Sequence, residues 1–212
     1  MKIIKPYTEI IGDINGNDIL KKIEMVGRTC YKSEDRITDG SAEKFVASLI
    51  KNGHEAMLEH ASFTVKFVVD RGVSHEIVRH RLASFAQEST RYCAYNKDQF
   101  GGEITFIEPC YWEKGSLFYN NWLMSVASAE TDYFHLLNCG TAPEKARAVL
   151  PNSLKTELVM TTNLREWRHF FNLRAANKTG KAHPQMLEVT RPLLDNLKQL
   201  IPVVFDDITY KE

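Results

Sequence analysis

The sequence predicts an α+β fold, a single domain over residues 1–212 with a central, mostly antiparallel sheet flanked by helices. Three observations carry this. Apolar residues recur every three or four positions near both ends of the chain, which is the pattern of amphipathic helices. A few segments between them alternate apolar and polar residues instead, and these strand patterns are not contiguous. No repeat, low-complexity stretch or linker divides the 212 residues, a length that suits one sizeable core.

From the N-terminus, residues 17–31 are helical, with Ile19, Leu20, Ile23 and Val26 on one face and Asp18 at the acidic start. A second helix begins at Ser41, capped by its hydroxyl, and stops near Asn52-Gly53. Phe63, Val65, Phe67 and Val69 then alternate along residues 62–69, a half-buried strand closed by Asp70-Arg71-Gly72. Residues 73–81 form a short helix, and residues 85–99, rich in hydroxyls, amides and tyrosines, form an ordered loop. Gly101-Gly102 precedes a strand over 104–108, and residues 116–138 form a long amphipathic helix. Pro143 opens a helix that ends at Leu150-Pro151. Leu154, Thr156, Leu158 and Met160 alternate along a strand over 154–162, residues 164–176 are helical, and Pro184 opens the last helix, to about residue 200.

Composition narrows the function. Lys plus Arg and Asp plus Glu each number 27, for zero formal net charge. That argues against a non-specific binder of nucleic-acid polymers, which carries a basic excess. Cys30, Cys93, Cys110 and Cys139 are widely spaced with no C-x-x-C pair, as in a reducing, cytoplasmic setting. The N-terminus lacks the features of a secretory signal, and no apolar run reaches the roughly 20 residues that span a bilayer. The expectation is a cytoplasmic protein with no membrane partner.

The arginines cluster: six of eleven fall in two short segments. The first runs Arg79-His80-Arg81-Leu82-Ala83-Ser84-Phe85-Ala86-Gln87-Glu88-Ser89-Thr90-Arg91-Tyr92. Guanidinium forks bind phosphate or a planar imide bidentately, so three within thirteen residues, flanked by neutral donors, suit a phosphorylated planar ligand. The bland reading is a solvated cluster pairing with Glu76 and Glu88. In the second segment, residues 163–174, Arg165, His169 and the turn near Arg174 form a polar face while Leu164, Trp167 and Phe171 pack inward. Its bland reading is a surface helix laced by Glu166 to basic neighbours.

Metal and thiol chemistry are the other candidates. A zinc helix needs H-E-x-x-H, but His75 and His80 are five apart and diverge by roughly 140°, and His54 and His60, six apart, also point away from each other. No metal is expected. Cys93, near Arg91, would gain thiolate character from a guanidinium, but it sits in no nucleophile motif and reads as inert.

Arg79-His80-Arg81, seven residues and then Ser89 match the R-H-R-x7-S signature of the flavin-dependent thymidylate synthases, extended by Arg91-Tyr92. Gly53-His54-Glu55 through Glu59-His60, Arg147 before Leu150-Pro151, and Asn163-Leu164-Arg165 through Asn172-Leu173-Arg174 come in the order that family shows. The resemblance covers about residues 17–200. It implies reductive methylation of dUMP to dTMP, with 5,10-methylenetetrahydrofolate as carbon donor and NADPH as reductant through FAD, releasing tetrahydrofolate. It also implies a homotetramer whose sites are shared between subunits. Carried over, Arg79, His80, Arg81, Gln87, Asn163, Leu164, Arg165 and His169 contact FAD. Glu76, Ile77, Val78 and Arg79 of one chain, Gln87, Glu88, Ser89, Thr90 and Arg91 of another, with Arg147 and Arg174, hold dUMP. Arg174 is the catalytic residue, its charge favouring ionisation of the uracil ring; no cysteine attacks C6. Ala56, Ala86, Gln87 and His169 depart from the commoner residues, Ala56 removing one hydroxyl contact worth about 1 kcal/mol. The competing reading from another class is a nucleotide- or RNA-binding module without catalysis.

Overall fold

A computed structural model describes residues 1–92, 95 and 102–210. The strands are β1 (Lys2–Ile4), β2 (Tyr7–Ile11), β3 (Ser62–Asp70), β4 (Ala83–Gln87), β5 (Thr105–Ile107) and β6 (Lys155–Asn163). The helices are α1 (Gly16–Thr29), α2 (Ser41–Lys51), α3 (Arg71–Ile77), α4 (Leu117–Asn138), α5 (Pro143–Ala146), α6 (Leu164–Arg174) and α7 (Pro184–Leu200). Four strands form one sheet in the order β2-β3-β6-β4, and β1 pairs with β5 in parallel, Ile3 opposite Phe106. The larger sheet is antiparallel: Thr64 faces Thr161 while the Arg71 amide donates to Leu154 O, so residue numbers rise on one strand as they fall on the other. The α+β class with an antiparallel sheet flanked by helices is therefore what the chain adopts.

Contacts divide the chain into two compact units. The first comprises Met1–Tyr7, Phe67–Arg79 and Phe85–Val159; the second comprises Thr8–Lys66, His80–Ser84 and Met160–Glu212. In the first, Ile104, Phe106, Val126, Tyr133 and Leu154 build a core against one face of α4. In the second, α6 and α7 bury Trp167, Phe170, Phe171, Met186, Leu194 and Leu197, and Phe63 stacks on Trp167 at 4.8 Å and 5°. The alternation along β6 is complete, with Thr156, Leu158, Met160 and Thr162 buried between half-buried neighbours. β3 alternates only as far as Phe67; Val68, Val69 and Asp70 are all buried.

Several local expectations are corrected. Ser41 does not cap α2: Gly40, at φ +75°, is the residue before it and makes no side-chain cap bond. The Ser41 hydroxyl instead donates to Glu24 Oε2 at 2.8 Å, while Arg28 grips Glu24 Oε1 through Nε and Nη2 at 3.1 and 2.8 Å. Asp70 accepts the Val73 amide at 2.6 Å, so the segment expected to end the strand is the first turn of α3, which stops at Ile77. Residues 83–87, of which 85–87 were expected within a loop, are strand β4. The remainder of that loop expectation falls partly on residues 93, 94 and 96–99, outside the described residues. Strands β1 and β2 were not anticipated.

The start of α1 meets the end of α7 without room for a side chain: a Cβ on Gly16 would stand 2.0 Å from Leu200 O. Gly16→Ala should therefore destabilise the fold by about 1–3 kcal/mol, although alanine is the better helix former. Urea unfolding should give a lower midpoint at unchanged slope; an equal or higher midpoint contradicts this close approach.

Candidate functional site

In the second unit the site begins where β6 becomes α6. Asn163 is extended (φ −79°, ψ 167°), and its side-chain oxygen accepts the Glu166 amide at 2.9 Å, the geometry of a helix N-cap. The cap fixes the helix register. With Leu164, Trp167, Phe170 and Phe171 in the core, Arg165 and His169 emerge exposed one turn apart, while Glu166 and Arg168 are buried. The expected inward face and the Arg165–His169 face are both present. The burial of Glu166 and Arg168 was not foreseen, and Glu166 does not lie on an exposed helix face.

Arg168 is held by Glu55 Oε1 at 3.1 Å, by Asp207 at 2.6 and 2.8 Å, and by the Val204 carbonyl. Arg168 in turn holds the Asp207 carboxyl below its ordinary value. This guanidinium is committed to structure. Arg165 pairs with Glu59 at 2.6 Å on the surface, where an ion pair is worth little and exchanges readily.

Glu166 reaches His80. Because α3 ends at Ile77 and β4 begins at Ala83, Arg79-His80-Arg81 lies between a helix and a strand, not on a helix as expected. His80 is buried, with Nδ1 3.1 Å from Glu166 Oε1 and Nε2 3.2 Å from Arg174 Nε; Phe170 meets its ring edge-on at 4.9 Å. Arginine Nε is only a donor, so His80 Nε2 must accept and Nδ1 must carry the proton. Burial first, then the charges of Arg174 and His169, push the imidazole down to about 4. The His80–Glu166 contact has the spacing of an ion pair, but at neutral pH it is a hydrogen bond from a neutral ring. Burial also raises Glu166, against the opposing charge of His169.

Beside these residues opens a cavity of about 570 Å³, lined by Glu55, Glu59, Leu82, Asn163, Arg165, Glu166, Arg168, His169 and Asn172, within the size range of cofactor sites. Asn172 Oδ1 is buried with no hydrogen-bond partner, an acceptor in want of a donor. Leu164 is a core residue whose amide is used by Ala61 O, so its side chain is not available to a ligand. The ligand atoms of His80, Glu166 and His169 lie within 4.8 Å of one another, the single such metal-sized group among the described residues. Both ring nitrogens of His80 are already engaged, one by a permanent cation, and a metal ion would have to displace that cation.

The first unit holds the other predicted residues. Arg147 Nη1 donates to Thr90 Oγ1 at 2.9 Å at a cavity of about 230 Å³ that Arg71 and Asn152 also line. Arg71 Nη1 is buried without a hydrogen-bond partner; the sequence reading missed this arginine, which stands outside the recognised motif. Ser89 Oγ accepts the Arg91 amide, and Arg91 is exposed, 3.9 Å from Glu144. Gln87 donates to Ser74 and Thr156 hydroxyls at 2.9 and 3.2 Å. Glu88 is matched by Lys155 at 3.1 Å and by the Tyr95 hydroxyl, partners the arginine-centred reading did not include. Glu76 and Val78 are half-buried, Arg79 is exposed, and Ile77 is wholly in the core, leaving only its backbone to a ligand. Cys93 lies outside the described residues; Cys30, Cys110 and Cys139 are exposed and in no disulfide.

The neutral His80 sets a pH dependence. Its folded pKa lies below the ordinary 6.5, so the unfolded chain takes the proton first. The contribution is full above 6.5 and is lost as pH falls toward about 4. It amounts to about 1–3 kcal/mol at most, since the raised Glu166 acts in the opposite sense. Between about pH 7 and 5 the wild type should lose more stability in urea unfolding than His80→Gln; equal slopes contradict a buried neutral imidazole.

Residues 14–203 match the family model described as thymidylate synthase complementing protein. A flavin-dependent thymidylate synthase of Pyrococcus furiosus is 34% identical over 176 residues, 82% of this chain and 70% of that protein. One of Geobacter sulfurreducens is 31% identical over 87% of this chain and 80% of its own length. Among solved structures, a UMP/dUMP methylase from Streptomyces cacaoi, bound with 5-Br dUMP, superposes with a TM-score of 0.78 at 24% identity over 97% of this chain and 96% of its own, which establishes the likeness of fold. No helix among the described residues is long and apolar enough to cross a membrane. Matched by the family model and by relatives of this identity along most of its length, the chain belongs to the flavin-dependent thymidylate synthases.

Proposed function

We propose that this chain converts dUMP to dTMP, taking the carbon from 5,10-methylenetetrahydrofolate and reducing equivalents from NADPH through FAD. The observation that carries the reading is Arg174 held by its Nε on the buried His80, in the same unit as a polar cavity lined by Asn163, Arg165 and His169. Bound FAD would supply the hydride chemistry. The chain's residues fit such a group: the cavity offers a histidine, an arginine in an exchangeable surface pair, and an unmatched buried acceptor in Asn172. Arg79, His80, Arg81, Asn163, Arg165 and His169 are the residues that would hold it.

The role of Arg174 comes from uracil chemistry. C5 of uracil is a weak nucleophile, and a guanidinium against the imide edge stabilises the negative charge that must build in the ring. Arg147 with Thr90, beside the unmatched Arg71 Nη1, suits the 5′-phosphate dianion. Assembly as a homotetramer with shared sites is supported by apolar surface flanking the motif, where Leu82 and Tyr92 stand 74% and 75% exposed. Zero net charge weighs against the alternative of an RNA-binding module.

The protein should release FAD, not FMN, on heating, as identified by mass. Arg174→Ala should keep flavin yet lose dTMP formation by about 10²–10³, measured as tritium release from C5-labelled dUMP. Replacing all four cysteines should leave a folded, active enzyme. Loss of activity in Cys93→Ser with flavin intact would revive covalent catalysis. Mixing Arg174→Ala with Ser89→Ala subunits, with exchange verified, should restore part of the activity; a mixture as inactive as its parents rejects sites shared through these residues.

A further inference from the structure

The catalytic role of Arg174 requires that its guanidinium be aimed. A lone arginine side chain is long and freely rotating, and loses much rotamer freedom when fixed. Arg174 is half-buried at the last turn of α6, where the backbone alone does not set the plane of its guanidinium. Its Nε meets His80 Nε2 at 3.2 Å. A neutral imidazole can offer that lone pair only if its proton sits on Nδ1, and in water the other tautomer is the commoner of the two.

We infer that Glu166 is a positioning residue: by accepting the Nδ1 proton of His80 it holds Nε2 open as the acceptor that orients Arg174. The geometry is a chain of one-way hydrogen bonds, Arg174 Nε–H to His80 Nε2 and His80 Nδ1–H to Glu166 Oε1. The side chains of His80 and Glu166 are 4% and 8% exposed, so bulk water does not compete for either bond. Glu166 is itself fixed from behind, its amide capped by Asn163. The edge of Phe170 and the ring of His169 confine the imidazole plane. Binding Nε from one side directs the terminal nitrogens of Arg174 away from His80. The inference rests on the proposed role of Arg174 in the reaction. Neither a surface lace nor a metal site accounts for a buried carboxylate aimed at a ring nitrogen, whereas tautomer control does.

Two measurements test it, one independent of turnover. In protein labelled with ¹⁵N-histidine, with His80 assigned by its loss in His80→Gln, the ring should show a protonated Nδ1 and a bare Nε2 at about pH 7. Glu166→Leu should shift that pattern toward the opposite tautomer. An Nε2–H ring or an imidazolium in the wild type overturns the inference, whether or not the protein makes dTMP. In turnover, Glu166→Leu should lower kcat at least tenfold with a smaller change in KM for dUMP. Glu166→Gln, whose amide oxygen still accepts from Nδ1, should recover most of that loss. His80→Gln, which keeps an acceptor near the Nε2 position, should retain more activity than His80→Asn, which does not. Equal kcat in wild type and Glu166→Leu, with the tautomer as expected, shows the carboxylate holds the ring without serving Arg174, and the inference fails. A wild type without dTMP formation but with the expected tautomer defeats the proposed reaction and the role assigned here, while leaving the hydrogen-bond chain intact.

Discussion

Helix α6 buries a carboxylate and a guanidinium alongside four apolar side chains, and a charge removed from water is costly unless it finds partners. Much of the second unit answers to that constraint. Arg168 draws in Glu55 from the short 3-10 segment before β3, and Asp207 and the Val204 carbonyl from the chain after α7. These contacts come from segments with little regular structure, and a permanent cation gives each a defined place. Removing the arginine would strand two carboxylates, so the contact network is specific as well as attractive. The stacked Phe63, Trp167 and Phe171 supply the apolar side of the same anchorage.

The three arginines of α6 illustrate how position, not residue type, decides what a charge does. Arg168 is buried and bonded to two carboxylates and a carbonyl, which commits most of its donors to the fold. Arg165, one turn earlier on the open side, holds a single exposed carboxylate that a phosphate could replace. Arg174 is held at Nε by a neutral ring, a contact that brings no opposite charge of its own. A carboxylate in the place of that ring would weaken the field that the role proposed for Arg174 on the uracil ring requires. A histidine kept neutral by burial is the suitable holder, and the buried Glu166 behind it fixes the tautomer at a distance from the guanidinium.

Long, strongly periodic segments were legible in the sequence because burial on one face imposes the period: β3, β6, α4, α6 and α7 all lie where alternation or three-to-four spacing places them. Strand β4 was not legible, since Ala83-Ser84-Phe85-Ala86-Gln87 carries little intrinsic strand preference; pairing with β6 makes it a strand. β1 is too short to show a period. The candidate residues were legible through the motif, but their division of labour was not. Helical spacing set Arg165 on the open face with His169, but nothing local shows that Arg168 is buried and paired, because the carboxylates that claim it lie 113 residues before it and 39 after it. Glu166 looked like a helix-surface acid because its partner is 86 residues away.

The seven-residue gap in the arginine–histidine–arginine signature has a physical meaning in this fold. Five of the seven residues are β4, and the chain is bonded to β6 at both ends of that strand: the Thr162 hydroxyl meets Leu82 O, and the Glu88 amide donates to Glu157 O. A strand has a side-chain period of two, so its length fixes both the reach and the facing of the residues beyond it. One residue more or fewer would turn Gln87 and Ser89 to the opposite face while leaving His80 pinned by Glu166 and Arg174. The gap is set by the backbone ladder and not by the identity of its side chains. It does not tolerate a change of length, because the ladder would then deliver the right residues on the wrong side.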